Sequence, residues 1–225
     1  MKIGIVVFPG SNCDRDCLRA VKNVTGASVF FLWHKETTLK GADAVILPGG
    51  FSYGDYLRCG AIAKFSPVMR EVIVAAEKGM PVLGICNGFQ ILTEAGLLPG
   101  VLMRNRSLHF ICKDVFVRLE NTKTAFTRKG RKNKAYRIPI AHMEGCYFIS
   151  AEGLKGLEDN NQIVFRYVDA KGNATREANP NGSVENIAGI TNTKGNVVGL
   201  MPHPERVCEE VLNGTDGRFF FESLG

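Results

Sequence analysis

Short apolar runs rich in β-branched residues recur through the first half of the chain, most of them followed by a segment with helical spacing. Residues 3–8 read as a first buried strand, and residues 14–24 as a helix with Leu18, Val21 and Val24 on one face. Residues 28–33 and 42–47 read as the next strands, the second ending at Pro48-Gly49-Gly50. Residues 57–78 read as helical, with an interruption near Ser66-Pro67 where proline can open a new helix. Residues 82–85 read as a fourth strand and residues 88–95 as a helix. This alternation predicts an α/β fold with a mostly parallel central sheet and helices on both faces. Sites in such sheets gather at the C-terminal ends of the strands, where Gly49, Gly50 and Cys86 all fall.

The second half has a different pattern. Strand-like pieces at 115–119, 136–141, 146–149, 163–168, 187–191 and 197–201 are joined by turns such as Lys171-Gly172-Asn173 and Asn179-Pro180-Asn181-Gly182. The charged run from Arg128 to Lys134 reads as a solvated, mobile connector, with docking of an acidic surface as the sharper alternative. Residues 214–224 read as a terminal helix. No internal repeat or low-complexity linker interrupts the chain, so residues 1–225 are expected to form one domain.

Composition narrows this picture little. Hydrophobic residues make up 45% and charged residues 22%, ordinary values for a globular protein, and the formal charge of +6 suits a mildly basic enzyme. No run has the length of a transmembrane span or the form of a signal peptide, so the expectation is a cytoplasmic protein. Seven cysteines without a C-x-x-C pair read as small apolar fillers in a reducing compartment rather than as a disulfide framework or zinc site.

One cysteine stands apart. Gly84-Ile85-Cys86-Asn87-Gly88 lies between a strand and a helix and is the thiol form of the G-x-S-x-G nucleophile elbow. The flanking glycines leave room for a sharp turn, and the following helix directs its N-terminal dipole at the sulfur. A thiol nucleophile needs a base, an orienter for the base, and donors for an oxyanion. Among four histidines, His203 alone has a carboxylate at a telling distance, in Met201-Pro202-His203-Pro204-Glu205. An extended backbone there would set His203 and Glu205 on one side, the carboxylate fixing the imidazole tautomer. The N–H of Asn87 is the first oxyanion donor expected and the turn at Gly49-Gly50 the source of a second, while Gln90 lies one helical turn beyond the thiol.

Taken together, these segments resemble the class I (triad-type) glutamine amidotransferases. Within them the chain is similar to a branch serving purine biosynthesis whose glutaminase is a separate small subunit. The elbow is common to the class. The narrower likeness rests on residues 7–16 (VFPGSNCDRD), 47–58 (LPGGFSYGDYLR), 179–183 (NPNGS) and 199–206 (GLMPHPER). The resemblance implies a flavodoxin-like α/β fold with additional strands in the second half. It implies Cys86 as nucleophile, His203 as base and then acid, Glu205 as orienter, Gly50 and Asn87 as oxyanion donors and Gln90 as a glutamine contact. Where the family usually reads H-G-E-G, this chain has His142-Met143-Glu144-Gly145, and a methionine would be strained if that position required positive φ. His142 and Glu144 are expected to be structural or to face a partner.

No G-x-x-x-x-G-K-[ST] phosphate loop is present. Amide transfer in purine synthesis needs ATP, so the resemblance implies a large synthetase subunit using ATP and Mg, a small accessory subunit, and no cofactor or metal on this chain. No nucleic-acid or membrane partner is expected. Two readings stay open beside it: an amidotransferase serving another synthase, and a Cys-elbow hydrolase of protease or deglycase type.

Overall fold

A computed structural model describes residues 1–225. The elements are Lys2–Val7 (β1), Asp14–Thr25 (α1), Ser28–Trp33 (β2), Ala44–Leu47 (β3), Pro67–Glu77 (α2), Val82–Ile85 (β4), Asn87–Glu94 (α3) and Val101–Met103 (β5). Ile111–Leu119 (β6), Ala135–His142 (β7), Cys146–Phe148 (β8), Ala151–Asp159 (α4), Ile163–Val168 (β9), Ile187–Thr191 (β10), Val197–Leu200 (β11) and Arg218–Glu222 (α5) follow. No helix is long and apolar enough to cross a membrane.

Nine strands form one sheet in the order β2-β1-β3-β4-β11-β10-β9-β6-β7. From β2 to β11 the neighbours run parallel. Beyond β11 the pairing is antiparallel. β5 and β8 form a separate antiparallel ribbon. The change in pairing matches a change in pattern. β3 and β4 are buried at every position, as strands covered on both faces must be, whereas β7 alternates buried and half-buried residues. The parallel half with helices on its faces is the α/β architecture the sequence predicts, and the antiparallel strands are its second-half extension.

Two expectations are modified locally, and one helix has no counterpart in the sequence pattern. The helix read from residue 57 starts only at Pro67, after an isolated 3-10 turn at Ala63–Phe65. Leu57 and Gly60 adopt positive φ, and Ser66 is extended as a residue before proline prefers to be. The basic run is solvated as expected but is also anchored. Lys129 N donates to Ser223 Oγ at 3.1 Å, and the Lys134 ammonium lies 3.4 Å from Asp216, fastening the run to the C-terminal segment. α4 was not legible, because Gly153 and Gly156 weaken its helical pattern; its start is set by Ser150 Oγ, which accepts the Gly153 N–H at 3.1 Å.

The junction of β4 and α3 is the most constrained turn near the sheet centre. Cys86 holds φ 50 and ψ −106, a strained conformation for a residue with a side chain. Gly84 and Gly88 are not among the positive-φ glycines. They are needed for close packing: a Cβ on Gly84 would lie 2.7 Å from the carbonyl carbon of Gly88, and one on Gly88 would lie 2.7 Å from that of Leu47 in β3. Gly88→Ala is therefore expected to force α3 off β3, costing roughly 1–3 kcal/mol as overpacking does, measurable as a lower urea midpoint at unchanged slope.

Candidate active site

The elbow lifts Cys86 above the C-terminal edge of the parallel strands. Its N–H is bound to Leu200 O in β11 at 2.8 Å, and its sulfur lies 3.7 Å from Ala141 O at the end of β7. The first N–H groups of α3 follow directly, an arrangement that favours negative charge on sulfur.

β11 brings the imidazole. After Leu200 the chain passes Met201-Pro202, and His203 N donates to Pro139 O at 2.8 Å. His203 Nδ1 lies 2.6 Å from Glu205 Oε1, both side chains being essentially inaccessible to solvent. The pair forms as the sequence suggests, though not through an extended backbone. Pro204–Arg206 makes a single 3-10 turn that swings the carboxylate back beside the ring. Burial alone would lower the imidazole pKa. The Glu205 carboxylate, then Cys86 and Cys13, more than offset it and hold the group well above its usual value. With Nδ1 committed to Glu205, Nε2 is the nitrogen left for proton transfer, and it has no aligned protein partner. The thiol is close enough to raise the imidazole but not aligned to it, a common state of a site without substrate.

The turn after β3 carries Gly50 at φ 149. A Cβ there would lie 2.6 Å from Asn12 N, so only glycine fits. Asn12 N and Cys13 N both donate to Gly49 O, Phe51 N donates to Gly10 O, and Tyr53 N donates to Pro9 O, so residues 9–13 brace the turn. The N–H groups of Gly50 and Asn87 have no acceptor within the protein. Asn87 also ties loop to helix: its Oδ1 accepts Ser52 N at 3.2 Å, and its Nδ2 donates to Gln90 Oε1 at 2.9 Å. Gln90 Nε2 donates onward to Glu144 O at 2.6 Å.

A cavity of about 210 Å³ opens beside the sulfur, its wall including Gly50, Asp55, Cys86, Gln90, His142 and Glu144. Larger cavities exist but contain no thiol. The structure thus brings together the six residues singled out from sequence, with Cys86, Gly50 and Gln90 lining the cavity and His203, Glu205 and Asn87 behind it. His142 and Glu144, expected to be structural or to face a partner, line it too. His142 Nδ1 donates to Asn105 Oδ1 at 3.0 Å, an oxygen that also accepts Gly145 N. Met143 carries no positive φ and so no strain, its side chain reaching the cavity rim. Sequence reasoning also missed Asp55, Cys13 and Arg206, whose neighbours are set only by folding. Cys13, His203 and Glu205 bring ligand-type atoms within 4.8 Å of one another, but the Arg206 guanidinium, 3.0 Å from Cys13 Sγ, already fills that side with positive charge. The constellation is suited to nucleophilic attack on a planar carbonyl, with two N–H donors for the oxyanion and an imidazole to move protons.

The family profile of the CobB/CobQ-like glutamine amidotransferase domain matches residues 1–217. The chain is 60% identical over 224 residues to phosphoribosylformylglycinamidine synthase subunit PurQ of Chlorobaculum parvum, covering 100% of this chain and 89% of that protein. It is 58% identical over 220 residues to the PurQ subunit of a Synechocystis species, covering 98% of each. Among solved structures, a chain of PurLQS from Thermotoga maritima matches with TM-score 0.87 and 45% identity, over 99% of this chain and 96% of that one. A second Thermotoga maritima protein, a glutamine amidotransferase 18% identical with TM-score 0.57, covers 100% of this chain and 90% of its own, and shares the fold.

Burial, and then the nearby charge of His203, push the His142 pKa down to about 4. Its ordinary value is higher, so between the two the unfolded chain binds a proton that the folded chain refuses. Stability is then complete above roughly pH 6.5 and is lost as pH falls toward about 4, by roughly 3 kcal/mol for this group. Chemical denaturation across that window should show the loss, and His142→Gln should flatten it.

Proposed function

The chain belongs to the CobB/CobQ-like glutamine amidotransferase domain family, and on that premise we infer that it is the glutaminase subunit of a phosphoribosylformylglycinamidine synthase. It hydrolyses glutamine to glutamate and ammonia. The ammonia passes to a synthetase subunit that converts formylglycinamide ribonucleotide to formylglycinamidine ribonucleotide in purine biosynthesis. Full-length identity to PurQ subunits supports this reading, and so does the match to a chain of the PurLQS assembly. The large synthetase subunit and the small accessory subunit are its partners, and ATP and Mg belong to the synthetase. Residues 1–225 act as one amidotransferase domain, supported by the single sheet that runs through both halves. Seven unpaired cysteines fit a reducing cytoplasm.

The single observation that carries the mechanism is the buried His203–Glu205 pair beside the strained Cys86. The thiol proton passes to His203 Nε2 as the sulfur attacks the side-chain carboxamide carbon of glutamine. The oxyanion is met by the N–H groups of Gly50 and Asn87. As the C–N bond breaks, His203 returns the proton to nitrogen and ammonia leaves, with the glutamyl group on sulfur as a thioester. His203 then takes a proton from water, the hydroxide attacks the thioester carbonyl, and glutamate departs with the thiolate restored. Glu205 keeps the ring in one tautomer and stabilises its charged form.

Two carboxylates in the cavity suit the ammonium of a free amino acid. Burial raises the Asp55 pKa, with repulsion from Glu144 adding to it, and no lysine or arginine lies within 4 Å of Asp55. An α-ammonium beside Asp55 would give this carboxylate the cation it lacks, whereas Glu144 already has Arg104 at 3.7 Å. The loop from Phe51 to Leu57 carries positive φ at Tyr53, Asp55 and Leu57, and exposes Tyr56 and Leu57. We read it as the element that docking of the partners orders, so that turnover is low in the isolated chain.

Cys86→Ala in the assembled enzyme should cut glutamine hydrolysis by about 10⁴-fold or more while synthesis from added ammonia persists. Hydrolysis surviving in that variant would sink the assignment. Asp55→Asn should weaken use of glutamine about tenfold, chiefly in KM, but leave glutaramate, which lacks the α-amino group, nearly unaffected. Equal losses on the two amides would remove Asp55 from this role.

A further inference from the structure

We propose that Cys13, a second thiol beside the imidazole, is a positioning residue: it holds the Arg206 guanidinium off the Glu205 carboxylate, so that the carboxylate serves His203. The proposal rests on the glutaminase reading above.

Cys13 precedes the first turn of α1, with its N–H bound to Gly49 O at 3.1 Å. Its buried sulfur accepts an N–H from Arg206 Nη2 at 3.0 Å. It also packs beside the His203 ring. A Cβ on Gly49 would lie 2.7 Å from His203 Cε1 and 3.2 Å from Cys13 Sγ, so the missing side chain is what lets thiol and imidazole share this space. Cys13 does not line the cavity beside Cys86, which separates it from substrate.

Arg206 follows Glu205 in sequence and already feels its charge, yet its Nε lies 4.0 Å from Glu205 Oε1, at the limit of ion-pair contact and beyond hydrogen bonding. That oxygen is the one 2.6 Å from His203 Nδ1. The other, Oε2, is buried and has no partner. A guanidinium prefers to engage both oxygens of a carboxylate at once, and such paired contacts are strong. The vacant Oε2 is therefore where Arg206 would settle if released. Two groups restrain it, the Cys13 sulfur and the Asp16 carboxylate 3.7 Å from Nε, both at the start of α1.

The restraint matters because Glu205 is the leading favourable neighbour of the charged imidazole in a site whose burial opposes that charge. Pairing Glu205 with Arg206 would neutralise much of that support. The other groups that bear on the ring do not replace it. Cys86 comes from the elbow and Cys13 from α1, while His142 at the end of β7 has its own pKa lowered by the His203 charge and offers the ring no support. Cys17, one turn further along α1, is held as a neutral thiol by burial, its nearness to Glu205 adding to the effect.

The test is the pH profile of glutamine hydrolysis by the assembled complex, using Cys13→Ala, Arg206→Met and the double variant. In Cys13→Ala, the alkaline limb, where the imidazolium loses its proton, should move down by about one pH unit, and kcat should fall roughly tenfold with KM little changed. Arg206→Met alone should stay close to wild type. The double variant should recover most of the wild-type limb, because the competing cation is gone and only the direct support of Cys13 for the ring is lost. Cys13→Ser keeps an acceptor for the guanidinium and should also behave as wild type, which guards against a misfolded alanine variant. The proposal is overturned if Cys13→Ala loses as much in the Arg206→Met background, or if its profile does not move. A wild-type complex inert toward glutamine would overturn the functional reading and this proposal together, whereas an active wild type with an unmoved Cys13→Ala profile overturns the proposal alone.

Discussion

The short contact between His203 and Glu205, 2.6 Å with both partners buried, is the interaction on which the rest of the site depends. A carboxylate removed from water is costly unless it is paired, and an imidazole removed from water gives up its proton. Each group here answers the other's cost. The result is a ring whose pKa is held well above its usual value while it faces a sulfur that must lose a proton. Neither group could do this alone in the same surroundings, as His142 demonstrates. It is nearly as buried but bound to a neutral amide, and burial, with the His203 charge adding to it, lowers its pKa to about 4.

Around that pair the site is assembled from four parallel or adjoining strands, each delivering one part at its C-terminal end. β4 gives the nucleophile, β3 the Gly49-Gly50 turn, β11 the imidazole and its acid, and β7 the carbonyl facing the sulfur. Close backbone packing keeps these parts in register. Gly84 and Gly88 let α3 approach the sheet, while residues 9–13 clamp the oxyanion turn. The strain at Cys86 persists because these contacts leave its backbone no other conformation.

The cavity wall is less rigidly determined than its floor. Asn87, Gln90 and the backbone of Glu144 form one chain of hydrogen bonds that reaches from the elbow to the segment after β7. The loop from Phe51 to Leu57 touches it through Ser52 and is itself strained. A site of this kind joins a fixed chemical centre to a border that can respond to partners, and the two are linked through a few side-chain amides.

How much of this was legible in the chain varies by residue. The elbow at Cys86 and the His203–Glu205 couple could be read directly, because each is a local pattern of a few residues with one chemical purpose. The parallel strands were readable for the same reason, their apolar runs being continuous and bounded by turns. The helix expected from residue 57 failed because Leu57 and Gly60 take positive φ, and Gly60 passes close against α3, a demand made by packing and not by propensity. Cys13 and Arg206 are distant in sequence, and no local pattern links the one, read with the other cysteines as an apolar filler, to the other. Only folding set them 3.0 Å apart beside the catalytic acid. The sequence by itself determined which groups could carry the chemistry, since nucleophile, base and acid are matters of residue type and short spacing. The tertiary structure decided what surrounds them, because burial, charge and restraint arise from segments that meet only when the sheet closes over its core.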